Sequence, residues 1–288
     1  MIFEKHYITN DNDVYLMSYC FEESHEMPYK KKRPAVVVCP GGGYSMCSKR
    51  EADPVAMQYA AEGYNTFVLY YRLNEKAVFP NSLLDLCTAI KFIRENAEKF
   101  GVIEDKIAVC GFSAGGHLAA SLGVYWNDPE IMEKSGCKNG ENKPNALILG
   151  YPVISTSWME NGEGSGLKRV TGGNNDPELY KKLNLHTAVT KNTPQTFLAH
   201  TVRDTVVPVE DSIKFASALI GAGVPCEMHI FPNGGHGLSL SNSQVCADGG
   251  DKSFAQWVNL SVNWLERLFS NPDEANAPLN KAKYSSKY

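Results

Sequence analysis

The sequence predicts an α/β fold in which a mostly parallel sheet carries helices on both faces. Short, continuous apolar runs such as 35–39 and 107–110 are typical of strands that are buried on both faces. Segments with helical spacing of apolar residues separate these runs, and glycines such as Gly63 and Gly101 follow them as stop signals. Such an alternation of strand and helix indicates parallel strands joined by crossover helices.

The predicted elements follow one another in a regular order along the chain. Two antiparallel edge strands are expected first, at 3–8 and 14–21. The later predicted strands are 35–39, 66–70, 107–110, 146–149, 195–199 and 226–231. The predicted helices are 50–62, 81–100, one that begins after Ser113, 209–221 and 252–269.

The predicted domain organisation is one domain over residues 1–270, with a small insertion and a polar tail. Segment 153–192 is rich in Gly, Asn, Ser and Thr and interrupts the alternation of strand and helix. We expect it to lie over the carboxyl edge of the sheet. Residues 271–288 are polar, and we expect them to be poorly ordered.

Composition and charge exclude several function classes. The formal net charge of the 288 residues is -4, which argues against a nucleic-acid partner. The N-terminal segment lacks a signal-peptide pattern and no segment is apolar enough to span a bilayer, so no membrane partner and a cytoplasmic location are expected. The 8 cysteines show no Cys-x-x-Cys pair and no Cys/His ligand spacing, so neither a metal site nor a disulfide framework is predicted.

The segment Gly111-Phe112-Ser113-Ala114-Gly115 lies between a predicted strand and a predicted helix. It matches G-x-S-x-G, in which a very tight turn exposes a serine hydroxyl as a nucleophile. Side chains two positions before and after the serine would collide with the neighbouring strand and helix, so glycine is required there. The alternative is an ordinary turn with Ser113 as the N-cap of the helix. The strand before it and the helix after it favour a nucleophile.

A serine nucleophile needs a general base, and this kind of strand-turn-helix site has the chain order Ser, acid, His. His236 lies in a glycine-rich loop directly after the last predicted strand and is the favoured base. His117 is four residues along the helix of Ser113, where a structural role is expected. His200 is a weaker candidate because it precedes the acid. His186 lies in the insertion and has no clear partner, and His229 lies within a predicted strand, where a packed or surface position is expected.

The acid is expected in the loop that follows the strand before the last one. Asp204 occupies this loop, and its alternative role is that of a turn or helix-capping residue. Asp211 is the rival, but it lies within the following helix and is expected to face away. Asp176 belongs to the insertion.

The oxyanion of an acyl-transfer reaction needs backbone N–H donors. One donor is expected from Ala114, the residue after the nucleophile, and another from the loop after an early strand. The segment 39–44, Cys-Pro-Gly-Gly-Gly-Tyr, follows the first buried strand, and its glycines allow the main chain to approach a substrate closely. A phosphate-binding loop is the alternative, but the segment matches neither of the two common glycine-rich phosphate motifs.

Together these stretches resemble the α/β-hydrolase superfamily, and within it the esterases with a glycine-rich oxyanion loop. The resemblance implies an α/β-hydrolase fold without a cofactor, a triad of Ser113, Asp204 and His236, and structural positions for Arg72 and Asp85. It also implies three oxyanion donors, which are Gly42, Gly43 and Ala114. The matching stretches are 40–44, 71–73, 79–80, Asp85, 111–119, Asp204 with 207–208, and 235–236.

The residue before the three glycines narrows the resemblance. Hormone-sensitive-lipase-like esterases have histidine there, whereas this chain has Pro40. The Pro-Gly-Gly-Gly-Tyr form is similar to bacterial acetyl xylan esterases and to the endo-xylanase-associated, BD-FAE-like esterases. This similarity implies hydrolysis of short-chain (acetyl) esters, on xylan or xylo-oligosaccharides, with Tyr44 and Trp158 as candidates for stacking on a sugar ring.

Three alternatives to an acetyl xylan esterase stay open at the level of sequence. The first is a general short-chain carboxylesterase. The second is a peptidase or arylformamidase-like amidase, because a serine triad can hydrolyse both esters and amides. The third is a binding protein without catalytic activity, which the complete set of triad residues argues against. Oligomeric state is not predicted.

Overall fold

A computed structural model of the protein describes residues 1–27, 32–156 and 165–270. Its centre is an 8-stranded sheet with the order β1-β2-β4-β3-β5-β6-β7-β8. The strands are β1 (Ile2–Tyr7), β2 (Tyr15–Cys20), β3 (Arg33–Cys39), β4 (Asn65–Tyr70), β5 (Val102–Phe112), β6 (Ala146–Gly150), β7 (Thr196–Thr201) and β8 (Cys226–Phe231). β1 and β2 run antiparallel to their neighbours, and all other pairs are parallel. The predicted sheet, with its antiparallel edge, is confirmed.

Helices cover both faces of this sheet. Within the described residues they are α1 (Asp53–Ala61), α2 (Asn81–Glu95), α3 (Ala97–Phe100), α4 (Ser113–Tyr125), α5 (Pro129–Ser135), α6 (Ser165–Thr171), α7 (Pro177–Leu183), α8 (Glu210–Gly221) and α9 (Trp257–Ser270). The predicted helix 81–100 is divided at Asn96, whose side-chain amide donates to the carbonyl of Phe92 and so competes with the helical bonding pattern.

The core lies in two layers because successive side chains of a buried strand point to opposite faces. Val37 of β3 packs in the layer formed with α2, α4 and α8. Val36 and Val38 pack in the other layer, against α1 and α9. All three valines have no exposed surface, so each side chain contributes about 1.5–3 kcal/mol of hydrophobic stabilisation relative to an exposed position.

The strand order places a crevice above β3 and β5. The chain leaves β3 toward β4 on one side and later returns to β5 on the other side. In open α/β sheets a ligand site forms outside the carboxyl ends of the strands where the winding reverses in this way. The loop after β3 carries the glycine-rich segment, and the turn after β5 carries Ser113. The topology therefore brings these two segments to the same crevice.

The described part of the predicted insertion packs across the carboxyl edge of the sheet. Leu183 and Leu185 are fully buried in the core layer of α4 and α8. The carboxylate of Asp211 in α8 accepts the backbone N–H of Ile154, which ties the start of the segment to that helix. The division into one domain, an insertion at 153–192 and a tail stays a prediction, and residues 271–288 lie outside the described residues.

Candidate active site

Ser113 occupies a strained turn between β5 and α4. Its φ angle is 52°, a left-handed value that non-glycine residues rarely adopt. A Cβ atom on Gly111 would lie 2.2 Å from the carbonyl oxygen of Gly115, and one on Gly115 would lie 2.1 Å from the carbonyl oxygen of Cys39. The steric requirement for glycine on both sides of the serine is confirmed. Such a turn presents the serine hydroxyl at the end of β5 instead of folding it into the helix.

A chain of hydrogen bonds joins Ser113, His236 and Asp204. The Oγ atom of Ser113 lies 2.8 Å from Nε2 of His236, and Nδ1 of His236 lies 2.7 Å from Oδ2 of Asp204. A carboxylate only accepts hydrogen bonds, so Nδ1 carries the proton and Nε2 is left as the acceptor for the serine hydroxyl. The structure thus brings together the three residues that the sequence predicted, with the imidazole oriented to remove a proton from the serine.

Asp204 is held as an ionised carboxylate. Its Oδ1 accepts the backbone N–H groups of Val206 and Val207, both at 2.9 Å. Nε2 of His200 lies 3.3 Å from Oδ2, on the buried side of the carboxylate. Burial by itself raises the pKa of Asp204, yet the hydrogen bonds from His200 and His236 hold that pKa well below its usual value. The carboxylate therefore keeps its negative charge beside His236 at neutral pH.

The loop over residues 40–48, which we call the oxyanion loop, passes directly beside the serine. Gly42 and Gly43 have φ angles of 124° and 61°, and a Cβ on Gly42 would lie 2.2 Å from the carbonyl oxygen of Met46. Among the described residues nothing accepts the N–H groups of these two glycines. Ala114 lies in the first turn of α4, where backbone N–H groups have no partner within the helix. These three N–H groups are thus available to a substrate.

Glu51 and Tyr151 adjoin the site, and the sequence did not single them out. The carboxyl of Glu51 is buried, with an exposed fraction of 3%, and its Oε2 accepts the N–H of Gly41 at 2.9 Å. Its Oε1 accepts the hydroxyl of Tyr151 at 2.7 Å. Burial raises the pKa of Glu51, and the bonds from Tyr151 and Gly41 oppose this rise. Tyr151 directly follows β6, at the sheet edge where the other site residues collect, and this position was the available sequence signal.

His117 and Tyr44 are partners beneath the oxyanion loop. The hydroxyl of Tyr44 lies 3.0 Å from Nδ1 of His117, and Nε2 of His117 donates to the carbonyl of Leu183 at 3.4 Å. Burial lowers the pKa of His117 to about 4, so the ring is neutral. The structural role expected for His117 agrees with these contacts.

The two predicted sugar-stacking residues have different outcomes. The side chain of Tyr44 is 5% exposed and belongs to the core, so its ring is not open to a substrate. Its φ of 58° turns the side chain inward, which a pattern of residue types does not reveal. A stacking role for Tyr44 therefore does not agree with the structure. Trp158 lies outside the described residues.

Three further acidic or basic residues have structural contacts. Arg72 and Asp85 form an ion pair of 2.7 Å in which the carboxylate is fully buried, in agreement with the structural role expected of both. Asp211 accepts N–H groups from Ile154 and Ser155, so this rival acid faces the insertion and not His236.

Comparison with known proteins identifies the family. A family model described as BD-FAE matches residues 25–219. The chain belongs to the BD-FAE family. The predicted α/β-hydrolase fold is confirmed by the solved structures to which the chain is similar. The BD-FAE match covers the oxyanion loop, Ser113 and Asp204, and the chain is accordingly an esterase-type α/β-hydrolase.

Individual BD-FAE-like relatives include enzymes that are named for xylan. Endo-1,4-beta-xylanase B of Butyrivibrio fibrisolvens is 36% identical over 235 residues, which are 78% of this chain and 36% of the relative. Acetylxylan esterase of Xylanibacter ruminicola is 30% identical over 259 residues, or 86% of this chain and 48% of the relative. This chain therefore spans less than half the length of either relative.

One solved structure is similar over nearly its whole length. The acetyl ester-xyloside bifunctional hydrolase from Caldicellulosiruptor lactoaceticus is 32% identical, with a TM-score of 0.76. The similarity covers 92% of this chain and 96% of that one. Within the described residues of this BD-FAE protein, no helix combines the length and the apolar character that crossing a membrane requires.

Proposed function

We propose that the protein is a serine carboxylesterase that hydrolyses short-chain, chiefly acetyl, esters through Ser113, His236 and Asp204. The observation that carries this proposal is the continuous hydrogen-bonded chain from the serine hydroxyl to the carboxylate, with distances of 2.8 and 2.7 Å. The serine ends a strand in a strained turn, and three backbone N–H groups lie beside it. This arrangement provides a nucleophile, a base and oxyanion donors within one crevice.

Acylation begins when Nε2 of His236 takes the proton of Ser113 as Oγ attacks the ester carbonyl. The carbonyl oxygen becomes an oxyanion, and in this proposal the N–H groups of Gly42, Gly43 and Ala114 bind it. Asp204 stabilises the imidazolium that forms. The tetrahedral intermediate then expels the alkoxide, and His236 returns the proton to it, so that the alcohol leaves and an acyl-serine remains.

Deacylation repeats these steps with water. His236 takes a proton from water, the hydroxide oxygen attacks the acyl carbonyl, and the same donors bind the second oxyanion. Collapse of the intermediate breaks the bond between the acyl carbon and Oγ of Ser113, and His236 returns the proton to the serine. The carboxylic acid leaves, and the enzyme regains its starting state without a metal or an organic cofactor.

We infer that the substrate is an acetylated xylan or xylo-oligosaccharide, in which a sugar hydroxyl is the alcohol part of the ester. The names of three relatives support this inference, since each refers to xylan, xyloside or an acetyl ester. The described part of the insertion carries exposed polar residues over 172–178, which suit a hydrated sugar better than a long acyl chain. A long chain requires an apolar groove because each buried methylene contributes about 0.8 kcal/mol.

A substrate panel tests the proposal. Rates are measured on p-nitrophenyl acetate, butyrate and octanoate, on acetylated xylo-oligosaccharides, and on an aryl formamide, with purified wild type and Ser113→Ala. We expect acetate to be the fastest p-nitrophenyl ester, release of acetate from the oligosaccharides, and loss of both activities in the variant. Octanoate faster than acetate would overturn the substrate class, and a formamide faster than every ester would favour the amidase. Full activity in Ser113→Ala would overturn the nucleophile.

A further inference from the structure

We propose that Glu51 and Tyr151 are positioning residues that hold the oxyanion loop and the loop of His236 at a fixed separation. The second loop, residues 232–241, follows β8 and is called the histidine loop. The inference rests on the proposed function, since it explains how the oxyanion donors and the base, His236, keep their relative positions. It assigns no chemical step to either residue.

Glu51 anchors the oxyanion loop from below. Its Oε2 accepts the N–H of Gly41, so this N–H is not a donor for the substrate, and the next two N–H groups remain for that role. The packing is close, because a Cβ on Gly41 would lie 2.7 Å from this oxygen and 3.0 Å from Cβ of Ser113. The carboxyl thus fixes the loop immediately before the two glycines that are proposed to bind the oxyanion.

Tyr151 extends the anchor to the histidine loop. Its hydroxyl donates to Oε1 of Glu51 at 2.7 Å and accepts the backbone N–H of Ser239 at 2.8 Å. Its ring also contacts the imidazole of His236 edge to face, with centroids 5.1 Å apart and an angle of 68°. One side chain therefore contacts the catalytic imidazole and supports the loop that carries it.

Ser239 of the histidine loop makes two more hydrogen bonds, one of which joins this loop to the residue before Glu51. Its Oγ donates to the carbonyl of Arg50, the residue before Glu51, at 2.5 Å. Its own carbonyl accepts the indole N–H of Trp257 at 2.8 Å. The short segment 50–51 is thus linked twice to the histidine loop and once to the oxyanion loop, all through buried or partly buried bonds.

The geometry has a direct kinetic consequence. Oxyanion donors act only when they lie within hydrogen-bond distance of the position that the oxyanion reaches in the transition state. A displacement of about 1 Å in such a group can reduce a rate about 10²-fold. Loss of the connection should therefore weaken binding of the transition state more than binding of the ester in its ground state.

Two variants and one matched control test the inference. Tyr151→Phe removes the hydroxyl but keeps the ring. Glu51→Gln keeps the shape of the side chain but replaces one accepting oxygen by an amide nitrogen, which only donates. The hydrogen bond from either Gly41 or Tyr151 is therefore lost. Tyr59→Phe is the control, because the Tyr59 hydroxyl is also buried, in the same core layer, and is bonded to Ser261 at 2.7 Å away from the two loops.

The first readout is kinetic. We measure kcat and KM on p-nitrophenyl acetate. We also measure the inhibition constant of an aryl trifluoromethyl ketone. Oγ of Ser113 adds to the carbonyl carbon of this ketone and gives an oxyanion that resembles the transition state. We expect kcat to fall about tenfold in Tyr151→Phe and about 10²-fold in Glu51→Gln, with KM within about twofold and the inhibition constant raised in proportion. Tyr59→Phe keeps the wild-type values. Wild-type kcat and inhibition constants in both test variants, or an equal loss in Tyr59→Phe, would overturn the inference.

The second readout does not depend on activity. Amide hydrogen exchange is followed in the peptides that contain residues 40–48 and 232–241. We expect Tyr151→Phe to speed exchange in both loops and Tyr59→Phe in neither. A wild type without esterase activity defeats the proposed function, and the exchange data then still decide the positioning role. Unchanged exchange in both loops of Tyr151→Phe overturns it.

Discussion

His200 lies on the buried side of Asp204, with its Nε2 3.3 Å from the same Oδ2 atom that Nδ1 of His236 contacts at 2.7 Å. Nε2 of His200 also lies 3.0 Å from the carbonyl oxygen of Val207, and both of these partners only accept, so Nε2 carries the proton. Its Nδ1 then accepts from the hydroxyl of Ser212 at 2.8 Å. A histidine considered as a rival base is instead a donor that supports the acid.

Replacement of Asp204 by Asn should reduce kcat about 10⁴-fold, because an amide no longer enforces the tautomer of His236 that leaves Nε2 as an acceptor. The check is kcat on p-nitrophenyl acetate for the purified variant. Asp176→Asn is the matched control, since Asp176 is an exposed N-cap of α7 and asparagine caps a helix equally well. A similar loss in both variants would contradict the assignment of Asp204.

His236→Ala should cost as much activity as the loss of the serine, since nucleophile and base act as one unit. His117→Asn should retain activity within about tenfold of the wild type, because it removes a structural contact to Tyr44 and no proton-transfer step. Steady-state rates on the same acetate ester compare the two variants. An inactive His117→Asn beside an active His236→Ala would show that the base has been misassigned.

Gly115→Ala should destabilise the protein by about 3 kcal/mol or prevent its folding, because the new Cβ meets backbone oxygens that cannot move aside. The two contacts are 2.1 Å to Cys39 and 2.4 Å to Pro40. Gly221→Ala is the control at the end of α8, where a Cβ has nothing within 4 Å. Urea unfolding followed by circular dichroism measures both. Equal midpoints for the two variants would contradict the close approach of α4 to β3.

The stability of the protein should decrease on acidification through His117. Its folded pKa is about 4, below the usual 6.5, so between these values the unfolded state binds the proton and the folded state does not. Stability therefore rises with pH in this window and is lost as pH falls from about 6.5 toward 4. From pH 7.5 to pH 5.0 this residue lowers the free energy of unfolding by about 2 kcal/mol.

Urea unfolding of wild type and His117→Asn at these two pH values isolates that contribution. The variant should show a smaller decrease in the free energy of unfolding, by about the same 2 kcal/mol. His6 and His186 also have lowered pKa values through burial, but they are present in both proteins and cancel in the comparison. An identical pH dependence in the two proteins would mean that the pKa of His117 is the same in the folded and unfolded states, which contradicts the predicted decrease.

The sequence predicted the sheet and the three hydrogen-bonded residues because both follow local rules. Strand and helix alternate visibly, and the chain order of Ser113, Asp204 and His236 follows the order of the strands that they end. The role of Glu51 was not predicted from the sequence. A short 3-10 turn over Lys49–Glu51 replaces the start of the predicted helix 50–62 and directs this charged side chain inward. The buried position of Tyr44 was not predicted, because its left-handed backbone and its hydrogen bond to His117, a residue distant in sequence, are not visible in a pattern of residue types.

The insertion does more than cover the crevice. Arg169 in α6 donates to the carbonyl of Gly43 at 3.2 Å, and the carbonyl of Leu183 in α7 holds His117 and, through it, Tyr44. The carboxyl end of the oxyanion loop's glycine run, at Gly43 and Tyr44, is therefore attached to segment 153–192 at two points. In evolutionary terms, we therefore expect a change in this segment to affect the turnover rate together with any effect on substrate preference. An exchange of this segment between homologues should alter both properties together, unless the contacts of Arg169 and Leu183 are rebuilt.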